Sequence, residues 1–226
     1  MYNEINCLEQ FTKKLLESFK NEKIEYIFVD DGSDDGSSNW LFNFCNNELN
    51  KNCKLINLKN NIGKGNAFHQ GINLANGQYV LFQDADLELD TNDSLEMLKI
   101  ISRDTTMNCL FGSRYLLGRL NNNNYLYEFV GKFNTLVFNI LFNQSLSDLH
   151  CGTKIISKEI LNSLNLTIKD FGVEIDLAAQ ISKKNYDIHE FGISYLPRTK
   201  KEGKKITWID GLKSYFYLFK LRFIQK

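Results

Sequence analysis

The apolar run Tyr79-Val80-Leu81-Phe82 stops at Gln83-Asp84-Ala85-Asp86-Leu87-Glu88, and this ending narrows the possible folds more than any other stretch. A run of aromatic and β-branched residues reads as a strand buried on both faces, as in sheets covered by helices. Side chains alternate along a strand, so Asp84 and Asp86 are expected to share a face at its carboxyl end, where open α/β sheets bind ligands. Two hard oxygen donors close together suit Mg²⁺ or Mn²⁺, which commonly use one or two carboxylates plus substrate phosphates. Taken alone, the same residues also read as a polar turn closing a core strand.

The flanking segments set this strand in an alternating series. Residues 6–21 carry Leu8, Phe11, Leu15 and Phe19 at helical spacing. A strand over 24–29 ends on Asp30-Asp31-Gly32-Ser33, a turn signal, and is followed by a helix over 37–49. A strand over 54–58, a glycine-containing loop around Ile62-Gly63-Lys64-Gly65 and a helix over 67–75 lead into the central strand. Such alternation predicts a parallel sheet with right-handed crossovers. Beyond it, Thr91 or Asp93 is placed to cap a helix running to Ile101, and residues 108–114 form a strand ending on Arg114. A broad apolar helix spans 125–142, Ile155-Ile156 mark a strand, 171–183 a helix and 186–195 an edge strand before Pro197. The tail, 198–226, opens basic and closes as an aromatic helix.

The length of 226 residues suits one domain, and 27 basic against 27 acidic residues argue against a nucleic-acid partner needing a basic surface. Five cysteines without Cys-x-x-Cys spacing fit reduced thiols in the cytoplasm. No apolar run approaches the ~20 residues of a membrane-spanning helix. The helix over 125–142 is either core or a surface lying on lipid, and the aromatic tail with Lys213, Lys220 and Arg222 extends that surface. Three loops at strand ends thus carry polar groups: Asp30 and Asp31, then Gly63-Lys64-Gly65, then Asp84 and Asp86. Carboxylates suit a base or ribose, and a glycine-rich helix start with Lys64 suits an anion, so together they describe a nucleotide-diphosphate site with a divalent metal.

Tyr2-Asn3-Glu4, Val29-Asp30-Asp31-Gly32-Ser33, Asn61-Ile62-Gly63-Lys64-Gly65, Gln83 to Glu88, Gly112-Ser113-Arg114, Asp148 to Lys154 and Arg198 to Gly211 occur in an order and spacing that resembles the family 2 glycosyltransferases. The chain looks most like the branch of dolichyl-phosphate mannose synthase and dolichyl-phosphate β-glucosyltransferase, over nearly its whole length. The resemblance implies one GT-A domain over 1–226, a mixed and mostly parallel sheet flanked by helices, with a basic loop and aromatic helix over 198–226. It also implies inversion of the transferred sugar. Asp30 and Asp31, with Tyr2 and Glu4 beside them, are expected to meet base and ribose, and Lys64 to sit near the nucleotide. Asp84 and Asp86 are the expected metal pair, with Asp86 the direct ligand and Gln83 or Asp84 supporting it. Arg114 is expected at the acceptor phosphate, and Arg198, Lys204 and Lys205 in a loop over the donor diphosphate. In the family a hydrophobic strand precedes Tyr-Asn-Glu at the sheet centre, so an inner strand upstream of Met1, absent from this sequence, is expected.

The implied reaction moves a hexose from a nucleotide-diphosphate sugar, of UDP-glucose or GDP-mannose type, to a polyprenyl or dolichyl phosphate at the cytoplasmic face of a membrane. A phosphate acceptor, ionised at neutral pH, requires positioning by Arg114 and Lys132 rather than a strong base. A sugar hydroxyl requires one, and Asp148, Glu174 or Asp176 are the candidates. Two alternatives stand beside it: the same fold acting on a polysaccharide or other hydroxyl, and a catalytically silent nucleotide-sugar binding module.

Overall fold

The computed structural model describes residues 1–47, 52–118, 125–198 and 208–224. In chain order the elements are α1 (Ile5–Ser18), β1 (Tyr26–Asp30), α2 (Ser37–Cys45), β2 (Cys53–Asn57), α3 (Lys64–Leu74), β3 (Tyr79–Phe82), α4 (Thr91–Arg103) and β4 (Cys109–Ser113). They continue with α5 (Tyr125–Phe142), β5 (Lys154–Ser157), α6 (Lys158–Ser163), α7 (Val173–Lys183), β6 (His189–Gly192), α8 (Trp208–Phe219) and a wider π-helical turn, Lys220–Ile224.

Local chemistry explains where these elements begin. Helix α1 forms on the recurring Leu8, Phe11 and Leu15, which are buried. The cap of α4 is Asp90, whose carboxylate accepts from the Asn92 amide at 2.9 Å, and not Thr91 or Asp93. Both expected caps lie within the first turn and hold other elements. Thr91 shares a hydrogen bond with Ser18 at 2.8 Å, and Asp93 accepts from the Ser194 amide at 2.6 Å.

Strands β1 and β2 pair in parallel, and the remaining strands form a second sheet in the order β3-β5-β4-β6. Within it β5 runs antiparallel to both neighbours, while β4 and β6 are parallel. The sheet arrangement is therefore mixed, with a larger antiparallel share than the strand–helix alternation predicts. The reason lies in β5: the chain reaches it through a loop after α5 and inserts it, reversed, between β3 and β4. Its signature, Ile155-Ile156, is fully buried yet carries no direction. Strand β6 sits at the sheet edge, as expected.

Among the described residues no strand hydrogen-bonds the two sheets together. A cavity of about 1170 Å³ runs between them, bordered by Tyr26 to Val29 on one side and Tyr79 to Phe82 on the other. At its end the Met1 ammonium donates to the Val29 carbonyl at 2.6 Å and the Asp31 amide to the Met1 carbonyl at 2.8 Å. The same cavity continues past the carboxyl end of β3 to α5 and α8.

Helix α5 turns Phe138 and Phe142 inward, but leaves Phe129, Phe133, Leu136 and Ile140 exposed. Helix α8 behaves alike, burying Leu218 and exposing Phe216 and Phe219. The two helices pack together, with the rings of Phe133 and Tyr215 6.1 Å apart. The apolar helix is thus core on one face and exposed on the other. No helix among the described residues is long and apolar enough to cross a membrane.

Candidate active site

Beyond β3 the chain sets Asp84 and Asp86 into the cavity, and each meets a different cation. Lys64, the first residue of α3, bridges Asp84 at 2.8 Å and Glu174, in the first turn of α7, at 2.7 Å. Arg198 reaches Glu4 at 2.9 Å, Asp86 at 3.0 Å and Glu88 at 3.5 Å. Burial opposes charge on Asp84, yet Lys64 holds its carboxyl below the usual range. Asp86 differs: burial and the neighbouring Asp84 and Glu88 charges push it up to about 6 despite Arg198. Lys64 is held above the ordinary lysine value, the two carboxylates overcoming its burial.

Gly152 makes room for Asp84. A Cβ at that position would stand 1.9 Å from the Asp84 carboxylate, so a side chain there and this position of Asp84 exclude each other. Gly63 and Gly65 serve packing. A Cβ on Gly63, at φ +122°, would lie 2.6 Å from the Lys169 carbonyl, and one on Gly65 2.2 Å from that of Ile168. The loop opening α3 is thus pressed against residues 168–170, which brings Lys64 to Glu174.

Arg114 and Asp148 form a second charged unit. The guanidinium donates through Nε at 2.7 Å and Nη2 at 2.9 Å, a bidentate pair, and the Arg114 amide adds a bond of 3.1 Å. Asp148 is 1% exposed, and Arg114 keeps its carboxyl well below the usual range against the cost of burial. Glu190 on β6 fixes the turn by accepting from the Ser147 and Asp148 amides at 2.8 and 3.0 Å. Arg114 lines the cavity between the rings of Tyr115 and Tyr195, whereas Asp148 lies behind it.

The other expected residues fall into three groups. Tyr2, Glu4, Asp31, Gln83 and Arg198 border the cavity with Asp84 and Asp86. Asp31 accepts from the amides of Ile62 and Gly63 at 3.1 and 2.7 Å, joining two strand-end loops. Gln83 is tied to Ser94 at 2.5 Å. Asp30 stands behind, fully buried, accepting from the Ser33 amide at 3.1 Å and from the hydroxyls of Ser33 and Ser38. Lys204 and Lys205 lie outside the described residues. Glu88 and Lys213 also line the cavity, where the sequence had not placed them. Glu88 had a signal in standing two residues after Asp86, although the chain turns between them at Leu87, φ +61°, whereas Lys213 had none.

As a cation site the cluster is partial. The described residues contain no group of three or more acidic, histidine or cysteine ligands placed to hold a metal. Asp84 and Asp86 nevertheless suit Mg²⁺ or Mn²⁺ completed by phosphate oxygens, as two carboxylates bordering one cavity. Carboxylates, buried cations and open volume at a strand end are what binding a phosphorylated ligand requires.

The fold is the GT-A fold of nucleotide-sugar transferases. Glucosyl-3-phosphoglycerate synthase from Mycobacterium tuberculosis, solved with Mn²⁺, uridine diphosphate and phosphoglyceric acid, superposes with a TM-score of 0.74, covering 100% of this chain and 77% of that one at 15% identity. The same enzyme has been solved with Mg²⁺ and uridine diphosphate. The model of glycosyl transferase family 2 matches residues 1–164, and the chain belongs to that family. Dolichyl-phosphate beta-glucosyltransferase of Dictyostelium discoideum is 30% identical over 218 residues, 89% of this chain and 64% of that protein. Poly-beta-1,6-N-acetyl-D-glucosamine synthase of Staphylococcus epidermidis is 25% identical over 193 residues, 77% of this chain and 46% of that protein. The chain thus spans about half to two-thirds the length of these relatives.

Proposed function

We propose that this chain transfers a hexose, with inversion, from a UDP-glucose- or GDP-mannose-type donor to a polyprenyl phosphate at the cytoplasmic face of a membrane. One juxtaposition carries the reading: α5 and α8 both border the charged cleft, and their outer faces expose Phe129, Phe133, Phe216 and Phe219. Exposed aromatic faces on paired helices suit a lipid interface. Lys213, half exposed at the cleft, and Lys132, 4.8 Å over the Tyr115 ring, add cations on that side.

Asp84 and Asp86 are the proposed metal ligands, and a bound Mg²⁺ or Mn²⁺ supplies fixed positive charge for the departing diphosphate. Asp31, Tyr2 and Glu4 line the end of the cleft given to base and ribose. Arg198 faces the diphosphate, and Arg114 orients the attacking phosphate oxygen. An ionised phosphate needs no proton removed, which leaves Asp148 to hold Arg114 in place. The relationship to the Staphylococcus polysaccharide synthase supports a second reading, an acceptor hydroxyl, in which Glu174, the candidate base that lines the cavity, would act once released from Lys64.

The readings separate in one assay. Radiolabelled donor incubated with Mn²⁺ and vesicles holding polyprenyl phosphate is expected to pass label into organic solvent. Phe129→Glu with Phe216→Glu should cut that transfer at least fivefold while sparing a short, water-soluble polyprenyl phosphate. Label in polymer, or in no product, contradicts the lipid-phosphate reading.

A further inference from the structure

We infer that Arg198 is the counter-ion which a divalent cation displaces from Asp86, so that the metal enters by exchange against one guanidinium while Lys64 keeps its hold on Asp84. The inference rests on the reading of Asp86 as a metal ligand and adds how that ligand is guarded.

The two aspartates are not equivalent. Lys64 is gripped from both sides, by Asp84 at 2.8 Å and Glu174 at 2.7 Å, and its side chain is 16% exposed. Removing it from Asp84, whose side chain is 31% exposed and whose rear is closed by Gly152, would also loosen its hold on Glu174, which is 8% exposed. Arg198 instead faces three carboxylates, Glu4, Asp86 and Glu88, and one positive charge leaves that group net negative. A dication answers the remaining charge better than a guanidinium does, since attraction scales with the product of charges.

Arg198 can also yield Asp86 without leaving. Its amide donates to the Glu88 carboxylate at 2.9 Å, and the Leu196 amide to the Glu88 carbonyl at 2.9 Å. Its Nη1 bonds Glu4 at 2.9 Å, independently of the Nη2 that holds Asp86. Breaking the Asp86 contact therefore frees one edge of a planar donor still anchored by Glu4 and the backbone, beside the incoming diphosphate. Arg198 is in this sense a positioning residue, keeping like charges apart until the metal replaces it.

Mn²⁺ binding without any donor tests this, read by the electron paramagnetic resonance of free Mn²⁺. Arg198→Gln is expected to bind Mn²⁺ at least tenfold more tightly than the unsubstituted protein, and Arg198→Lys, which keeps the charge, to stay near it. Circular dichroism identifies any variant that has lost its fold, and Glu4→Gln then provides an independent arm. It removes one anchor of Arg198 and should leave Mn²⁺ affinity no tighter than in the unsubstituted protein, because a carboxylate is lost as well. Equal affinity in Arg198→Gln and the unsubstituted protein, or tighter binding in Glu4→Gln, overturns the exchange alone. Absence of Mn²⁺ binding in every variant, with UDP present or not, overturns the metal reading with it.

Discussion

Asp86→Asn is expected to abolish most sugar transfer while leaving the empty protein as stable as before, or more so, at pH 7.5. Burial beside Asp84 and Glu88 raises this carboxyl to about 6, so the folded state disfavours its charged form. The sign follows from linkage: stability associated with a raised acid is full below its unfolded value, near 3.9, and declines as pH rises through about 6. Above that pH, carrying the charge costs on the order of 3 kcal/mol, because the folded and unfolded values lie roughly two pH units apart and each is worth about 1.4 kcal/mol. Asparagine relieves this cost, can still accept from the Glu88 amide as Asp86 does at 3.1 Å, and forfeits the Arg198 pair. Transfer should fall by roughly a hundred- to a thousandfold, the scale of losing one preorganised electrostatic element. Thermal melts at pH 7.5 and pH 4.5 check the stability half, where any advantage of Asn should shrink at the lower pH. A large loss of stability at pH 7.5 would show that Asp86 is a structural anion.

Asp148→Ala should do the reverse, acting first on the fold. It leaves Arg114, 19% exposed along its side chain, without its bidentate partner, and strands the Arg114 and His150 amides that Asp148 accepts at 3.1 and 3.2 Å. Breaking a buried pair from one side costs about 3–5 kcal/mol. Because the Asp148 carboxyl is depressed in the fold, its contribution is present above the unfolded value near 3.9 and is lost as pH falls through the folded one. Urea denaturation at pH 7 should show the full deficit, and acid should narrow it. Arg114→Met combined with Asp148→Leu is expected to regain much of the stability but none of the transfer. Recovered transfer would remove Arg114 from the acceptor site.

What could be read from the chain depended on how far apart the interacting groups stand. Asp84 and Asp86 were legible because the apolar run announced the strand they follow, but β3 ends at Phe82, so the shared face expected of them gives way to a loop in which each meets its own cation. Arg114 was legible as a cation ending a strand, but its lock onto Asp148 spans 34 residues and the whole of α5. Arg198 meets Asp86 across 112 residues, and no local pattern pairs them. Lys64 lines the cavity, but its ion pairs with Asp84 and Glu174 were not legible, because they depend on the glycines of its loop allowing contact with residues 168–170. Asp90, Thr91 and Asp93 are all competent caps, so composition could not choose among them. The reversal of β5 was invisible for a similar reason, since alternation of apolar residues has no polarity along the chain.

Titration calorimetry with UDP-glucose and GDP-mannose, with and without Mn²⁺, addresses the cleft itself. One of the two donors is expected to bind in the presence of Mn²⁺, at least tenfold more weakly after chelation with EDTA, and equally weakly to Asp86→Asn under either condition. Binding of neither donor, or binding that ignores both the metal and the substitution, would mean that these carboxylates do not form a nucleotide-sugar site.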